Sequence, residues 1–141
     1  SQTDLLNIPG GGSACPITLE NADQRLSTLA MVGTDVFKQA VTRMRDSANS
    51  VIERSGLRPE DIKLLFPHQA NLRIIEAVTK RIEIPEDRVF VNLHKYGNTS
   101  AAACAIALDE SHRAGKFGSG DHIVLVAFGA GLTWASAAIR W

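Results

Sequence analysis

Two polar side chains stand at comparable points of this sequence, each where an apolar run gives way to a new stretch. His68 follows residues 63–66 and Pro67, and Asn98 follows residues 89–93 and Gly97. Both stretches predict a strand, then a polar residue at a turn, then a helix. Because ligands bind at the carboxyl ends of strands in α/β folds, we expect His68 and Asn98 to share one site.

The chemistry that this pair favours is hydrogen-bond donation. No second His, Cys or carboxylate lies at ligand spacing around His68 or Asn98, so we predict no metal site. No nucleophile elbow accompanies them, which disfavours a Ser-His-Asp arrangement. Two neutral donors can stabilise a developing enolate or oxyanion, each contributing roughly 2.7–4 kcal/mol. The alternative is a histidine with a purely structural role.

Composition narrows the class of protein. The chain has 141 residues, of which 45% are hydrophobic, and its net charge is zero, which predicts one globular domain. The charge argues against a nucleic-acid-binding protein, which normally carries a basic patch. No apolar run reaches the roughly 18 residues of a membrane span. The two cysteines argue against a disulfide framework and fit a reducing cytoplasm, so we predict a cytoplasmic protein.

The sequence divides into an irregular segment and a patterned remainder. Residues 1–32 contain Pro9 followed by three glycines, and we predict a loop-rich segment there. The predicted helices and strands all lie in residues 33–141. Thr34 is the predicted N-cap of a long helix, and Gly56 is its predicted left-handed C-cap.

Helices and strands alternate after that first helix. Asn71 is predicted to cap a second helix, whose apolar positions are Leu72, Ile75, Val78 and Ile82. An alanine-rich stretch from Ser100 predicts a third helix, buried on most sides. The predicted strands span residues 63–66, 89–93, 123–128 and 132–139, and the last two should be antiparallel because a short glycine turn joins them. This order predicts an α/β fold with a mixed sheet.

Three motifs, in this order and at this spacing, resemble one enzyme family. They are His68-Gln-Ala-Asn-Leu-Arg73, Gly97-Asn-Thr-Ser-Ala-Ala102 and Ala127-Phe-Gly-Ala-Gly-Leu-Thr-Trp134. Together they are similar to the carboxyl-terminal half of a β-ketoacyl-acyl-carrier-protein synthase III, over the chain from about Gly10 onward. The family usually has Gly where Ala130 stands, a change that affects backbone geometry and room more than chemistry.

The resemblance implies a fold and a reaction. The fold is one half of a thiolase-like, five-layer αβαβα arrangement, with a mixed sheet and helices on both faces, over residues 33–141. The reaction is an acyl transfer that initiates fatty acid biosynthesis by decarboxylative condensation of acyl-CoA with malonyl-acyl-carrier protein. His68 and Asn98 are implied to bind the malonyl thioester carbonyl and stabilise the enolate, with His68 neutral. A main-chain N–H at Ala130 is implied to stabilise the acyl oxyanion.

The resemblance also implies binding residues. Gly33, Phe37 and Asn71 would line the channel for the pantetheine arm. Contacts with acyl carrier protein are implied for Gln69, Ala70, Asn71, Leu72, Arg73 and Lys38, with Arg73 the main contact. Lys80 and Arg81 would add positive charge towards that acidic partner. No cofactor is implied, because CoA and phosphopantetheine thioesters are the substrates.

The nucleophilic Cys of the family belongs to the amino-terminal half, and neither Cys15 nor Cys104 matches its motif. We therefore expect a fragment that needs a partner half carrying the Cys, and a homodimer when intact. By itself the chain is expected to be inactive and to expose a face of its alanine-rich helix. The alternatives are a polyketide starter-unit synthase, an acyltransferase of the same fold, and a half-domain that binds carrier protein without activity.

Overall fold

The computed structural model describes residues 2–141. The helices are α1 (Gly33–Arg54), α2 (Leu72–Ile82), α3 (Leu93–Tyr96) and α4 (Ala102–Arg113). The strands are β1 (Leu6–Asn7), β2 (Ala30–Met31), β3 (Ile62–Pro67), β4 (His122–Gly129) and β5 (Thr133–Arg140). Among these residues, no helix is both long and apolar enough to cross a membrane.

The main sheet has the order β3-β4-β5 and mixes two strand directions. β3 and β4 are parallel, with Pro67 opposite Val126 at the end of the pairing. β4 and β5 are antiparallel and meet at Gly129 and Thr133, on either side of the predicted turn. The predicted α/β class and mixed sheet are therefore confirmed.

Helices cover both faces of this sheet. On one face, α1 and α2 bury a core in which Met44, Val78 and Val124 are at most 1% exposed. On the other face, Phe66 packs with Ala107 of α4. β3 is buried on both faces apart from Lys63, which is why it reads as a continuous apolar run, as parallel strands do. The predicted helices on both faces are confirmed.

The predicted ends of α1 are half right. The helix begins at Gly33, and no side chain caps its first turn, so the prediction of Thr34 as N-cap is wrong. Gly56 has φ +68° and ends the helix as predicted. Its N–H donates to the Glu53 carbonyl at 2.9 Å, and the Leu57 N–H donates to the Ile52 carbonyl at 3.1 Å, the hydrogen-bond pair of a Schellman motif.

α2 begins at its predicted N-cap, and its first residue, Leu72, is exposed. The Asn71 side-chain oxygen accepts a hydrogen bond from the Arg73 N–H at 2.9 Å, which confirms the N-cap. Leu72, one of the apolar positions predicted for this helix, is 48% exposed. As the first helical residue it lies before the buried stripe of the helix, which is formed by Ile75, Val78, Thr79 and Ile82.

The predicted strand over residues 89–93 does not form. A single parallel bridge joins Leu65 and Val89, and the Phe90 N–H donates to the Leu65 carbonyl at 3.0 Å. Continuing that ladder would need an N–H from Pro67, and proline has none. The chain instead enters the short helix α3 at Leu93.

α4 is less buried than predicted. Its buried residues are Ala103, Ala107 and Ser111, whereas Ala101, Ala102 and Ala105 are exposed. The prediction of burial on most sides is wrong for the chain by itself. The exposed alanines form the uncovered face that we expected of the chain alone.

Residues 2–32 are irregular, as predicted, apart from β1, β2 and two short 3-10 turns. Gly10 is fixed within this segment, because its N–H donates to the Leu26 carbonyl at 2.7 Å. A Cβ at Gly10 would lie 2.7 Å from the Cβ of Leu26, so a larger residue there would force the chain at Leu26 to shift. The boundary near residue 32 coincides with the start of α1, and its meaning as a domain limit stays a prediction.

Candidate active site

His68 directly follows β3 and is held by the sheet. Its main-chain N–H donates to the Val126 carbonyl at 2.8 Å, which extends the pairing of β3 with β4 by one step. The side chain is half-buried, and burial lowers its pKa, because desolvation disfavours the charged form. His68 is therefore neutral at neutral pH and offers one ring N–H as a donor.

Asn98 follows α3 on the exposed side of the chain. Gly97, at φ +68°, ends α3 by donating its N–H to the Leu93 carbonyl at 2.8 Å. The Asn98 side-chain oxygen accepts from the Ser100 N–H at 3.0 Å, which leaves the amide nitrogen as the available donor. Across residues 2–141, no hydrogen bond joins the side chains of His68 and Asn98.

Gln69 connects the two stretches that carry His68 and Asn98. Its side chain is 1% exposed. The amide nitrogen donates to the carbonyls of Pro67 at 2.7 Å and Phe90 at 3.1 Å. The amide oxygen accepts from the main-chain N–H groups of Asn92 at 3.0 Å and Leu93 at 3.1 Å. The Gln69 side chain is therefore buried and fully hydrogen-bonded, and the contact of this residue with a carrier protein stays a prediction.

The other residues predicted to contact a carrier protein are accessible. Asn71, Leu72 and Arg73 are exposed at the start of α2, and Ala70 is half-buried. The exposed Lys38 lies on α1, with its Nζ 4.0 Å from the Asp35 carboxylate. An exposed pair of this kind contributes little and leaves the lysine head in solvent.

The start of α1 meets the start of α2. The guanidinium carbon of Arg73 lies 6.0 Å from the ring centroid of Phe37, a cation–π contact. Gly33 is exposed one turn before Phe37 on the same helix. The structure thus brings a predicted channel residue and the predicted main carrier contact together, and their binding roles remain predictions.

The turn between β4 and β5 exposes Ala130. Its carbonyl accepts a hydrogen bond from the Thr133 hydroxyl at 3.0 Å. A Cβ at Gly131, where φ is +132°, would lie 2.8 Å from the Thr133 methyl group, so this turn needs the glycine. The Ala130 N–H as an oxyanion donor stays a prediction.

The surroundings of Cys104 do not activate its thiol. Cys104 lies half-buried in α4, with its Sγ 3.9 Å from the Phe66 carbonyl oxygen. Burial raises the pKa of this thiol, which disfavours the nucleophilic thiolate. Within residues 2–141, no three His, Cys, Asp or Glu side chains are grouped so that they could hold a metal ion.

Sequence reasoning missed several residues that support Asn98. Asn92 is 4% exposed and its amide nitrogen donates to the Glu110 carboxylate at 2.9 Å. Lys95 also pairs with Glu110, so α3 is fastened to α4. These partners are far apart in sequence and follow no periodic pattern. Pro67 was the one signal in the sequence, because it lacks the N–H needed to continue main-chain pairing between β3 and the segment after Val89. Another donor must replace that N–H.

Comparisons with known proteins agree with the geometry. The family described as 3-Oxoacyl-[acyl-carrier-protein (ACP)] synthase III C terminal matches residues 52–141. A relative from Caldanaerobacter subterraneus subsp. tengcongensis, named beta-ketoacyl-[acyl-carrier-protein] synthase III, is 55% identical over 136 residues, which cover 96% of this chain and 41% of that protein. The chain thus spans about 41% of the length of this curated relative.

Solved structures align in the same way. The crystal structure of 3-oxoacyl-[acyl-carrier-protein] synthase III from Aquifex aeolicus is 39% identical, with a TM-score of 0.85 over 99% of this chain and 41% of that chain. The priming β-ketosynthase of the R1128 polyketide biosynthetic pathway is 37% identical, with a TM-score of 0.74 over 84% of this chain and 38% of that chain. From these matches we conclude that the chain belongs to the 3-oxoacyl-[acyl-carrier-protein] synthase III C-terminal family.

Proposed function

We propose that this chain forms the decarboxylating part of the active site of a β-ketoacyl-acyl-carrier-protein synthase III. The enzyme would start fatty acid synthesis by condensing the acyl group of an acyl-CoA with malonyl-acyl-carrier protein. The observation that carries the proposal is the half-buried position of His68 at the end of β3, where burial lowers the pKa of the ring. The chain segment that leads to Asn98 lies beside His68, and hydrogen bonds of the Gln69 side chain connect the two segments.

The two side chains suit the first chemical step. The carbonyl oxygen of the malonyl thioester accepts hydrogen bonds from the His68 ring N–H and the Asn98 amide. The bond to the carboxylate carbon breaks, carbon dioxide leaves, and the electron pair of that bond forms the enolate. Donors that are fixed before the charge develops stabilise it without reorganising. A neutral imidazole keeps its N–H available without the cost of burying a charge.

The second step needs a nucleophile from outside this chain. The enolate carbon attacks the carbonyl of an acyl group held on a Cys, and the oxyanion that forms accepts from the main-chain N–H of Ala130. The new carbon–carbon bond remains as the oxyanion collapses and the Cys thiolate leaves. We assign that Cys to an amino-terminal half, since the raised pKa of Cys104 argues against that residue. CoA and phosphopantetheine thioesters are the substrates, and no further cofactor is used.

The test measures carbon dioxide release from a malonyl thioester by the complete synthase that carries this chain. We expect His68→Ala and Asn98→Ala each to lower the rate by about 100-fold or more, while acylation of the Cys continues. His112→Ala and Asn49→Ala are matched controls, because both residues are exposed and neither belongs to the proposed site; they should retain the rate. Loss of acylation with decarboxylation intact would reverse the assigned roles.

Carrier protein binding is assigned to the exposed start of α2, with Arg73 as the main contact and Lys38, Lys80 and Arg81 adding positive charge. Arg73→Glu should weaken binding of malonyl-acyl-carrier protein by about tenfold or more, because it reverses a charge opposite an acidic partner. Arg113→Glu is the matched control. Arg113 is also exposed but lies at the end of α4, which packs on the opposite face of the sheet from α1 and α2. Equal binding by the two variants would reject this surface.

Priming of polyketide synthesis is the second candidate. The observation that favours it is the match to the priming β-ketosynthase of the R1128 pathway, at 37% identity. The two candidates share the decarboxylation step and differ in the carrier protein that brings the malonyl group. Comparing kcat/KM with malonyl groups on a fatty-acid carrier and on a polyketide carrier distinguishes them. A preference for the polyketide carrier would replace the fatty-acid assignment.

We further propose that the complete enzyme works as a homodimer in the cytoplasm.

A further inference from the structure

The side chain of Gln69 replaces a missing rung of the sheet. In the register set by Leu65 and Val89, the next rung of the parallel ladder would use the main-chain N–H and carbonyl of Pro67. Proline has no N–H, so it cannot donate to the Phe90 carbonyl. The Gln69 amide nitrogen donates to that carbonyl instead, and it also occupies the Pro67 carbonyl.

The Gln69 amide oxygen replaces the acceptor that the Pro67 carbonyl would have provided. In a continued ladder the Asn92 N–H would donate to the Pro67 carbonyl. It donates to the Gln69 amide oxygen, which also accepts from the Leu93 N–H. All four hydrogen-bonding positions of the primary amide are therefore filled by main-chain groups. Only an amide offers two donors and an acceptor in this arrangement, so the site distinguishes glutamine from the nearly isosteric glutamate.

The two candidate catalytic residues depend on this amide to different degrees. His68 is held independently of it by the hydrogen bond from its N–H to Val126 of β4. Asn98 lies five residues beyond Leu93, and the connection is the single turn α3, which Gly97 closes onto the Leu93 carbonyl. A shift of Leu93 is therefore passed directly to Asn98.

We infer that Gln69 is a positioning residue for decarboxylation, which sets the location of Asn98 relative to His68 by hydrogen-bonding the main chain on both sides. This inference rests on the proposed function. Gln69 itself touches no substrate, because its side chain is buried and all its hydrogen bonds are internal. Its influence on the rate passes through Asn98.

The experiment measures kcat and KM for carbon dioxide release from a malonyl thioester by the complete synthase that carries this chain. Gln69→Glu removes both donors and sets a carboxylate against two carbonyls. We expect kcat to fall by about tenfold or more, since displacement of a catalytic group by about 1 Å can cost 100-fold. KM and acylation of the Cys should change by less than about twofold.

Thr79→Val is the matched control for loss of a buried hydrogen bond. Thr79 is 3% exposed, and its hydroxyl donates to the Ile75 carbonyl within α2. The variant should destabilise the protein and leave kcat unchanged. If Gln69→Glu does not fold, Gln69→Asn is measured with the same expectations, because it keeps the amide but falls one methylene short of its partners.

A double-mutant cycle separates positioning from general stability. In an Asn98→Ala background, Gln69→Glu should lower kcat by less than about twofold, because two residues that act through one group are not additive. The inference would be overturned if Gln69→Glu lowered kcat by the same factor with Asn98 present and with Asn98→Ala. An unchanged kcat in a folded Gln69 variant would also overturn it. Full activity of His68→Ala and Asn98→Ala would instead overturn the proposed function. The two failures are therefore distinguishable.

Discussion

His68 and Asn98 follow two neighbouring stretches of chain that are held in different ways. His68 continues a strand whose main-chain ladder with β4 runs through five residue pairs and on to the Val126 carbonyl. Asn98 ends a stretch that pairs with β3 at one bridge only, between Leu65 and Val89. Beyond that bridge, side chains hold it: Gln69 on one side, and Glu110 through Asn92 and Lys95 on the other.

This difference indicates which of the two residues is more easily displaced by a substitution. Ladder hydrogen bonds use main-chain groups, which almost every substitution preserves. Side-chain amides hold a loop through particular atoms, and replacing one partner leaves buried main-chain groups unpaired, at about 1–3 kcal/mol each. We therefore expect single substitutions to move Asn98 more readily than His68.

The largest expected effect comes from the residue that supports both stretches. Phe66 is fully buried, and its ring lies 5.8 Å from Phe90 and 5.9 Å from Phe117, centroid to centroid. Phe66→Ala should lower the free energy of unfolding by about 3–5 kcal/mol, because it removes an aromatic side chain and leaves a cavity. Denaturant titration measures this. Leu19→Ala, at a fully exposed residue, should change stability by less than about 0.5 kcal/mol; similar losses in both variants would contradict the packing described.

A smaller effect distinguishes the Asn98 stretch from the rest of the fold. Gly97 and Gly56 share φ +68°, and a Cβ at either one meets no atom within 4 Å. Alanine at Gly56 should cost about 1–2 kcal/mol of stability, because that residue is left-handed at a helix end. Gly97 has ψ −162°, a backbone conformation that is essentially restricted to glycine, so alanine there should cost about 1–3 kcal/mol. Only Gly97→Ala should also slow carbon dioxide release, since Gly97 directly precedes Asn98. Equal activity of the two variants would show that the Asn98 stretch tolerates backbone strain.

The smallest effect is on the His68 side and depends on pH. Burial lowers the pKa of His68 below its ordinary value of 6.5. Stability from the neutral, buried ring is present above pH 6.5 and is lost as the pH falls through the lowered pKa. Carbon dioxide release should fall over the same range, because protonation places a charge on the half-buried ring. Thermal unfolding against pH measures the effect. His112→Ala should keep the dependence and His68→Ala should lose it; retention in His68→Ala would assign the titration to another group.

Local rules explain what the sequence predicted correctly. The Gly56 cap, the Asn71 cap, the buried run of β3 and the hairpin of β4 and β5 each depend on neighbouring residues or on one periodic pattern. The family motifs placed His68 and Asn98 after their respective stretches. These features need no knowledge of which distant segment lies alongside.

The features that the sequence did not predict share the opposite property. Residues 89–93 have strand composition, but a strand needs a partner ladder, and Pro67 interrupts it. Gln69 is polar and lies in a motif of surface residues, yet its partners are main-chain groups more than twenty positions away. The alanines of α4 look like core, but no other part of residues 2–141 covers one face. Tertiary partners decide each of these cases, and no local pattern encodes them.

The replacement of a sheet rung by the Gln69 amide also bears on how such a site can evolve. The His68 end is robust to mutation, because a main-chain ladder is the same for nearly any sequence that folds. The Asn98 end depends on particular side chains, because Gln69 holds it on one side and Glu110 on the other. Substitutions that change the spacing of the two donors are therefore expected at these side chains rather than in the strand that carries His68.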